Sequence, residues 1–219
     1  MPDQPVEPPL DCGLCPRLAA FRADNRRQLP DYFNAPVPAF GAPRARLLIV
    51  GLAPGLHGAN RTGRPFTGDH AGDLLYPTMI KFGFARGQYG QSSDDGLALI
   101  NCRLTNAVRC VPPKNKPTAA EINTCRPFLA SEIAASQADL LAIIALGTIA
   151  HNSVLRALGL RVAEAPFGHA AEHALPGGVT LLDSYHCSRY NTNTGRLTAP
   201  MFEAVFQRAA DICSSELAQ

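Results

Sequence analysis

Four cysteines and one glycine-rich loop carry the chemistry in this sequence's spacing. Cys12-Gly13-Leu14-Cys15 is a C-x2-C pair. Cys110 and Cys125 form a second pair with fourteen residues between them, across Val111-Pro112-Pro113-Lys114-Asn115-Lys116-Pro117. Four thiolates together hold zinc or an iron–sulfur cluster. The alternative is four unrelated buried thiols, since cysteine is among the most buried residue types. Seven cysteines is an odd total, which argues against a disulfide framework and for ligation by some of them. Cys102, Cys187 and Cys213 lack a paired spacing, and Cys102 and Cys213 read as packing residues in a strand and a helix.

The loop is Gly51 to Asp69, with five glycines in nineteen residues, no GKS or GKT ending and no G-x-G-x-x-G. It follows the apolar run Leu47-Leu48-Ile49-Val50, so a buried strand ends in a loop that lacks both phosphate-binding signatures. Glycines there let backbone approach some other ligand closely.

The elements that must position these residues alternate. Arg46 to Gly51, Leu97 to Asn106, Leu140 to Gly147 and Val179 to Ser184 are short apolar runs bounded by turn residues, the pattern of buried parallel strands. Helical spacing runs over Asp73 to Phe82, where Pro77 is expected to bend or delay the helix. Thr118-Ala119-Ala120-Glu121 is a capping box that opens a helix carrying Ile122, Cys125, Phe128 and Leu129. Thr148 to Leu158 follows the third strand, with Gly159 as its stop. A last helix starts near Thr198 with Pro200 in its first turn. The alternation predicts one α/β domain, an α/β/α sandwich around a central, mostly parallel four-stranded sheet. Loops at the carboxyl ends of such strands make the binding crevice. That brings together Gly51 to Asp69, the stretch after Asn106, and the stretch from His186.

At 219 residues, 46% hydrophobic and 17% charged, the chain can bury a substantial core. No stretch reaches the ~20 apolar residues of a membrane span. Met1 to Leu10 is proline-rich and acidic, unlike a signal peptide, and reads as a flexible tail to residues 1–219 as one domain. A cytoplasmic location is expected. The net charge of +2 is small, but Arg103, Arg109, Lys114 and Lys116 fall in one acid-free stretch and Arg189 and Arg196 in another. Basic loops on one edge would make a local positive face; the alternative is that these side chains are simply solvated.

Gly51-Leu52-Ala53-Pro54-Gly55 followed by Asn60-Arg61-Thr62-Gly63-Arg64-Pro65-Phe66-Thr67-Gly68-Asp69 resembles the first motif of the uracil-DNA glycosylase superfamily, and its continuation resembles family 5, or type B. Thr105-Asn106-Ala107-Val108-Arg109-Cys110 resembles the segment with the base-binding asparagine and third cluster cysteine of families 4 and 5. His186-Cys187-Ser188-Arg189-Tyr190-Asn191, then Thr194-Gly195-Arg196-Leu197-Thr198, resembles the late His-Pro-Ser motif and its family 5 tail. Cys187 is a departure, since many members have proline there. The resemblance runs from Cys12 to the last helix. It implies a [4Fe-4S] cluster on Cys12, Cys15, Cys110 and Cys125, and excision of damaged bases from DNA.

Such an enzyme flips its target base out of the stack into a pocket. The resemblance gives Phe66 as the platform for the base, Asn106 as donor and acceptor for its edge, and Gly51 and Ala53 as close backbone. His186, as a neutral imidazole, would stabilise the charge developing on the departing base. Family 4 has an acid at the position of Leu52 and family 1 at Ala53. Both are apolar here, which leaves Asp69 as the candidate for activating water; its ordinary alternative is a helix N-cap. Lys114, Lys116, Arg189 and Tyr190 are the expected DNA contacts, the last two at a minor-groove wedge. The expected substrates are uracil and the deaminated purines hypoxanthine and xanthine, in double- or single-stranded DNA, acted on by a monomer. The alternative is a lesion binder of the same fold without turnover.

Overall fold

The computed structural model describes residues 4–215. Along the chain come α1 (Pro16–Gln28), β1 (Phe40–Gly41), β2 (Leu47–Gly51), α2 (Ala59–Thr62), α3 (His70–Lys81), β3 (Ala85–Arg86), β4 (Ala98–Leu99) and β5 (Cys102–Asn106). They are followed by α4 (Ala119–Ser136), β6 (Ala142–Leu146), α5 (Thr148–Ala157), β7 (Glu172–Ala174), β8 (Thr180–Ser184), α6 (Arg189–Asn193) and α7 (Ala199–Ser215).

The main sheet has the order β1-β5-β2-β6-β8-β7. Its four central strands are parallel, in the registers Gly51↔Asn106, Leu47↔Ala142 and Leu146↔Ser184. Short antiparallel strands close both edges, so the four expected strands form the centre of a six-stranded sheet. β2 is buried at all five positions, as are β5 and β6. Side chains alternate between two cores. Leu47, Ile49, Ile144 and Leu182 meet α3 and α7, while Leu48, Val50, Ile143 and Leu181 meet α4 and α5. Burial on both faces explains why these strands read as continuous apolar runs.

Three expectations change. The run Leu97 to Asn106 is not one strand: Asn101 takes a left-handed φ of 47°, and β4 turns away to pair with β3 in a separate ribbon. α3 starts at His70 with Asp69 as its N-cap, and Pro77 lies inside it without ending it. Residues 4–10 of the expected tail are held against the body, with Val6 N–H donating to Ser131 Oγ at 2.7 Å and Glu7 paired to Arg109 at 3.0 Å; residues 1–3 lie outside the described residues. The capping box at Thr118 and Glu121 forms as the sequence predicts.

Glu7 belongs to a buried ionic group that also corrects the charge reading. Glu132, on α4, is fully buried and takes both Arg103 and Arg109 (2.8 Å). Those two arginines are therefore structural and leave the positive edge to Lys114 and Lys116, which are exposed. Arg109 leads directly to Cys110, so the network fixes the loop that carries the third paired cysteine.

Candidate active site

A cleft of about 450 Å³ opens at the carboxyl ends of the parallel strands. Leu52 and Ala53 enter it after β2, Leu146 and Gly147 from β6, and His186 after β8; Asp69, His70 and Ser188 complete the polar wall with Arg189 and Asn115. This is the crevice an open parallel sheet provides, and it brings together the three loops singled out in the sequence.

Asp69 faces the cleft half-buried while capping α3, its Oδ1 accepting from Ala71 N–H at 3.1 Å. Oδ2 lies over two glycines: a Cβ at Gly55 would come within 2.9 Å of it and one at Gly58 within 2.3 Å. Burial raises its pKa above the usual aspartate value, partly offset by the backbone N–H groups of Ala71 and Gly72. The N-cap and site readings of Asp69 are thus compatible, since one oxygen caps and the other faces the glycine loop.

His186 has no protein partner at its buried Nδ1. Burial depresses its pKa to about 4, so the ring is neutral at neutral pH. Its ring centroid is 6.2 Å from that of Phe66. Phe66, at φ 55°, is buried although its neighbours in the sequence are polar. Those neighbours are buried too: Arg64 forms a two-pronged ion pair with Asp95 at 2.8 and 2.7 Å, and Thr67 meets Tyr76 Oη at 3.1 Å. Gly51, Phe66 and Asn106 do not line the open cleft. They form a close group behind it, where a Cβ on Gly51 would lie 2.3 Å from Phe66 Cζ and 2.5 Å from Asn106 Oδ1. The glycine at the end of β2 is what lets an aromatic edge and a carboxamide converge there.

Ala53 joins the cleft to the paired cysteines, because it packs on the apolar group of Leu18, Val108, Cys110 and Cys125 with Cys15 alongside. Cys12, Cys15, Cys110 and Cys125 line one small cavity between α1, α4 and the Val108–Cys110 segment. Arg22 donates to Cys110 Sγ at 3.4 Å, and so does Arg109 N–H to Cys125 Sγ at 3.4 Å. Donors aimed at sulfur suit thiolate ligands. Among the described residues no three cysteine sulfurs lie within 4.8 Å of one another, whereas one tetrahedral zinc with ~2.3 Å bonds needs them ~3.8 Å apart. Four thiols around one cavity, with donors aimed at two of them, suit a thiolate-bound metal centre. Cys102 and Cys213 stay in the core, as expected.

Comparison with known proteins decides the family. The family description "Uracil DNA glycosylase superfamily" matches residues 38–210. A type-5 uracil-DNA glycosylase of Thermus thermophilus is 47% identical over 203 residues, covering 90% of this chain and 92% of the relative. One from Pyrobaculum aerophilum is 40% identical, covering 92% and 88%. A type-4 uracil-DNA glycosylase from the same organism is 33% identical, covering 69% and 63%. The chain belongs to the uracil-DNA glycosylase superfamily.

Within that superfamily's fold, the two candidate catalytic side chains, Asp69 and His186, share one cleft wall with Ala53 and Arg189. Tyr190 is 71% exposed, on the same five-residue helix as Arg189. Lys114 and Lys116 flank Asn115, which reaches the cleft. His70 lines the cleft, whereas Asn60 is buried and donates to Asn34 Oδ1 at 2.9 Å, and exposed His57 meets Tyr32 at 3.0 Å. Cys187, in the proline position, is fully buried in the core, with its thiol pushed up to about 12 by burial and then by nearby Asp69.

Sequence reasoning missed the residues that hold the site. The Arg64–Asp95 pair spans thirty-one residues, and nothing in Asp94-Asp95 marks either acid as its partner. Asn191 Nδ2 donates to the His186 carbonyl at 2.8 Å, a tie of five residues that a helix-start reading of Ser188 to Asn191 would have suggested. His151 contacts Asp183 at 2.7 Å and the Ala165 carbonyl at 2.8 Å, while His173 reaches Asp183 at 3.2 Å. With both nitrogens facing oxygen acceptors, the geometry favours the charged form of His151. Burial opposes that charge, but the Asp183 carboxylate outweighs it and raises the pKa. This group holds β8 three residues before His186.

Proposed function

We propose that the protein is a DNA-repair glycosylase that hydrolyses the N-glycosidic bond between uracil and deoxyribose and leaves an abasic site, the activity named for its type-5 relatives. The observation that carries the reading is the pairing of a partly buried carboxyl, Asp69, with a neutral imidazole, His186, on one cleft. As the bond from base to C1′ breaks, negative charge gathers on the base and positive character on the sugar. His186, neutral and with an unpartnered Nδ1, is suited to donate to a base oxygen. Ionised Asp69 accepts a proton from the water that bonds to C1′, and the departing base takes up a proton from solvent. Phe66 and Asn106 receive the base, with Gly51 and Ala53 supplying close backbone. The largely apolar walls (Leu52, Ala71, Leu146 and Ile149) support tolerance for hypoxanthine and xanthine.

Lys114, Lys116 and Arg189 contact the DNA backbone, and Tyr190 fills the space that the flipped base vacates, in duplex DNA. Single strands are substrates that do not need that filling. Cys12, Cys15, Cys110 and Cys125 hold a [4Fe-4S] cluster, which supplies a rigid cross-link between the N-terminal segment and the Lys114 loop. The two cores share one sheet, which supports a single catalytic domain. The protein acts as a monomer in the reducing cytoplasm, and the odd count of seven cysteines, which argues against a disulfide framework, supports that compartment.

A gel assay over duplexes with uracil, hypoxanthine, xanthine or thymine opposite each normal base tests the reading. Multiple turnovers on uracil, with slower cutting at the deaminated purines, are expected. Binding without turnover would replace the enzyme by a lesion binder.

A further inference from the structure

α6 is tied to both sides of the cleft. On one side Asn191 holds the carbonyl of His186. On the other, His70 Nε2 meets Thr192 Oγ1 at 2.9 Å, joining segments 122 residues apart. Thr192 Oγ1 also lies 3.3 Å from the Ser188 carbonyl and 3.2 Å from that of Arg189. A hydroxyl has one proton. If Thr192 gives it to those carbonyls, as helical threonines commonly do, the hydroxyl oxygen accepts and His70 donates from Nε2. His70 is the first residue of α3, and Asp69 is that helix's N-cap. The same five-residue helix presents exposed Arg189 and Tyr190 to solvent.

We propose that the His70–Thr192 hydrogen bond is a positioning device that couples the seating of α6 on DNA to the alignment of Asp69. Neither residue touches the reacting atoms. The bond fixes the distance between the helix that enters the DNA and the first turn that orients the Asp69 carboxylate. An α6 displaced by a badly seated duplex moves His70, and through it the N-cap. The inference rests on the proposed roles of Asp69 and α6.

The test separates binding from chemistry. Thr192→Val keeps the shape of the side chain and removes the hydroxyl; Thr192→Ser restores it. Rates are measured under single-turnover conditions at saturating enzyme on a uracil-containing duplex. Affinity is measured on the same duplex carrying 2′-fluoro-deoxyuridine, whose electron-poor sugar resists cleavage. Small misplacement of a catalytic group costs up to ~10² in rate, so with the N-cap still in place Thr192→Val is expected to lose about tenfold in the saturated rate. Its affinity should stay within about twofold, since phosphate contacts supply most of it, and Thr192→Ser should recover the rate. His70→Asn, which shortens the side chain, should reproduce the loss if Thr192→Val does not fold. A saturated rate equal to that of the parent protein overturns the inference, as does a loss that vanishes once enzyme is saturating. If the parent protein itself leaves uracil in place, the functional reading fails instead.

Discussion

Gly58 stands against the Asp69 carboxylate: a Cβ at position 58 would lie 2.3 Å from Oδ2. All three atoms that such a Cβ would meet most closely belong to the Asp69 side chain. Gly58→Ala is therefore expected to push Asp69 aside and slow uracil excision by ~10². The thermal midpoint should fall by only a few degrees, since alanine is a poorer N-cap than glycine but α2 is only four residues long. A full excision rate in this variant would place Asp69 outside the chemistry.

The protonation states set a pH dependence. The proposed chemistry needs ionised Asp69 and neutral His186. The Asp69 pKa is raised by burial, and that of His186 is depressed to about 4. The single-turnover rate should climb as pH rises out of the acid range and then level, with no fall from His186 near neutrality. Stability follows the same group. Between its unfolded value of ~6.5 and about 4, His186 binds a proton only in the unfolded chain, so stability falls as pH drops through that window. Urea midpoints between pH 7 and 4 should decline less steeply in His186→Gln than in the parent protein.

Glu132 carries two buried arginines. Removing it leaves Glu7 as the one carboxylate, among the described residues, paired to both guanidiniums, and breaking a buried pair from one side costs roughly 3–5 kcal/mol. Glu132→Ala should show that loss in urea denaturation and loosen the segment leading to Cys110. A cost under 1 kcal/mol would mean that water reaches both guanidiniums.

Much of this was legible in the sequence. The four parallel strands announced themselves because each is buried on both faces, as the runs at Leu47 and Ala142 show. The motif order gave Asp69, His186 and the paired cysteines. The rest depends on distance in sequence. Nothing local tells that Glu7 reaches Arg109 across 102 residues, so an acidic proline-rich start looks like a loose tail. Arg103 and Arg109 were indistinguishable from Lys114 and Lys116 as positive charge, because burial is set by where Glu132 falls on α4. The burial of Phe66 is hidden for the same reason: its polar neighbours Arg64 and Thr67 have partners that the fold, not the motif, supplies.

The proposed cluster makes a compositional prediction. Protein purified without oxygen should be brown, with about four irons and four sulfides per chain. Cys125→Ser should lower iron content and stability together. Colourless protein with one zinc would contradict the cluster.

Tyr190 tests base extraction. Opening a pair costs a few kcal/mol, least where the base is mismatched or unpaired. Tyr190→Ala should therefore impair excision from a fully paired duplex several-fold more than from single-stranded DNA. Equal losses on both substrates would assign Tyr190 to backbone contact or to the pocket.

The most direct measurement is the single-turnover release of uracil from duplex DNA by the parent protein, Asp69→Asn and His186→Ala, with DNA affinity measured alongside. Losing one general base or one transition-state donor costs ~10² or more in rate, and both variants should show such losses with affinity little changed. Parent-like rates in both variants would contradict the account of this cleft as the site where the glycosidic bond is broken.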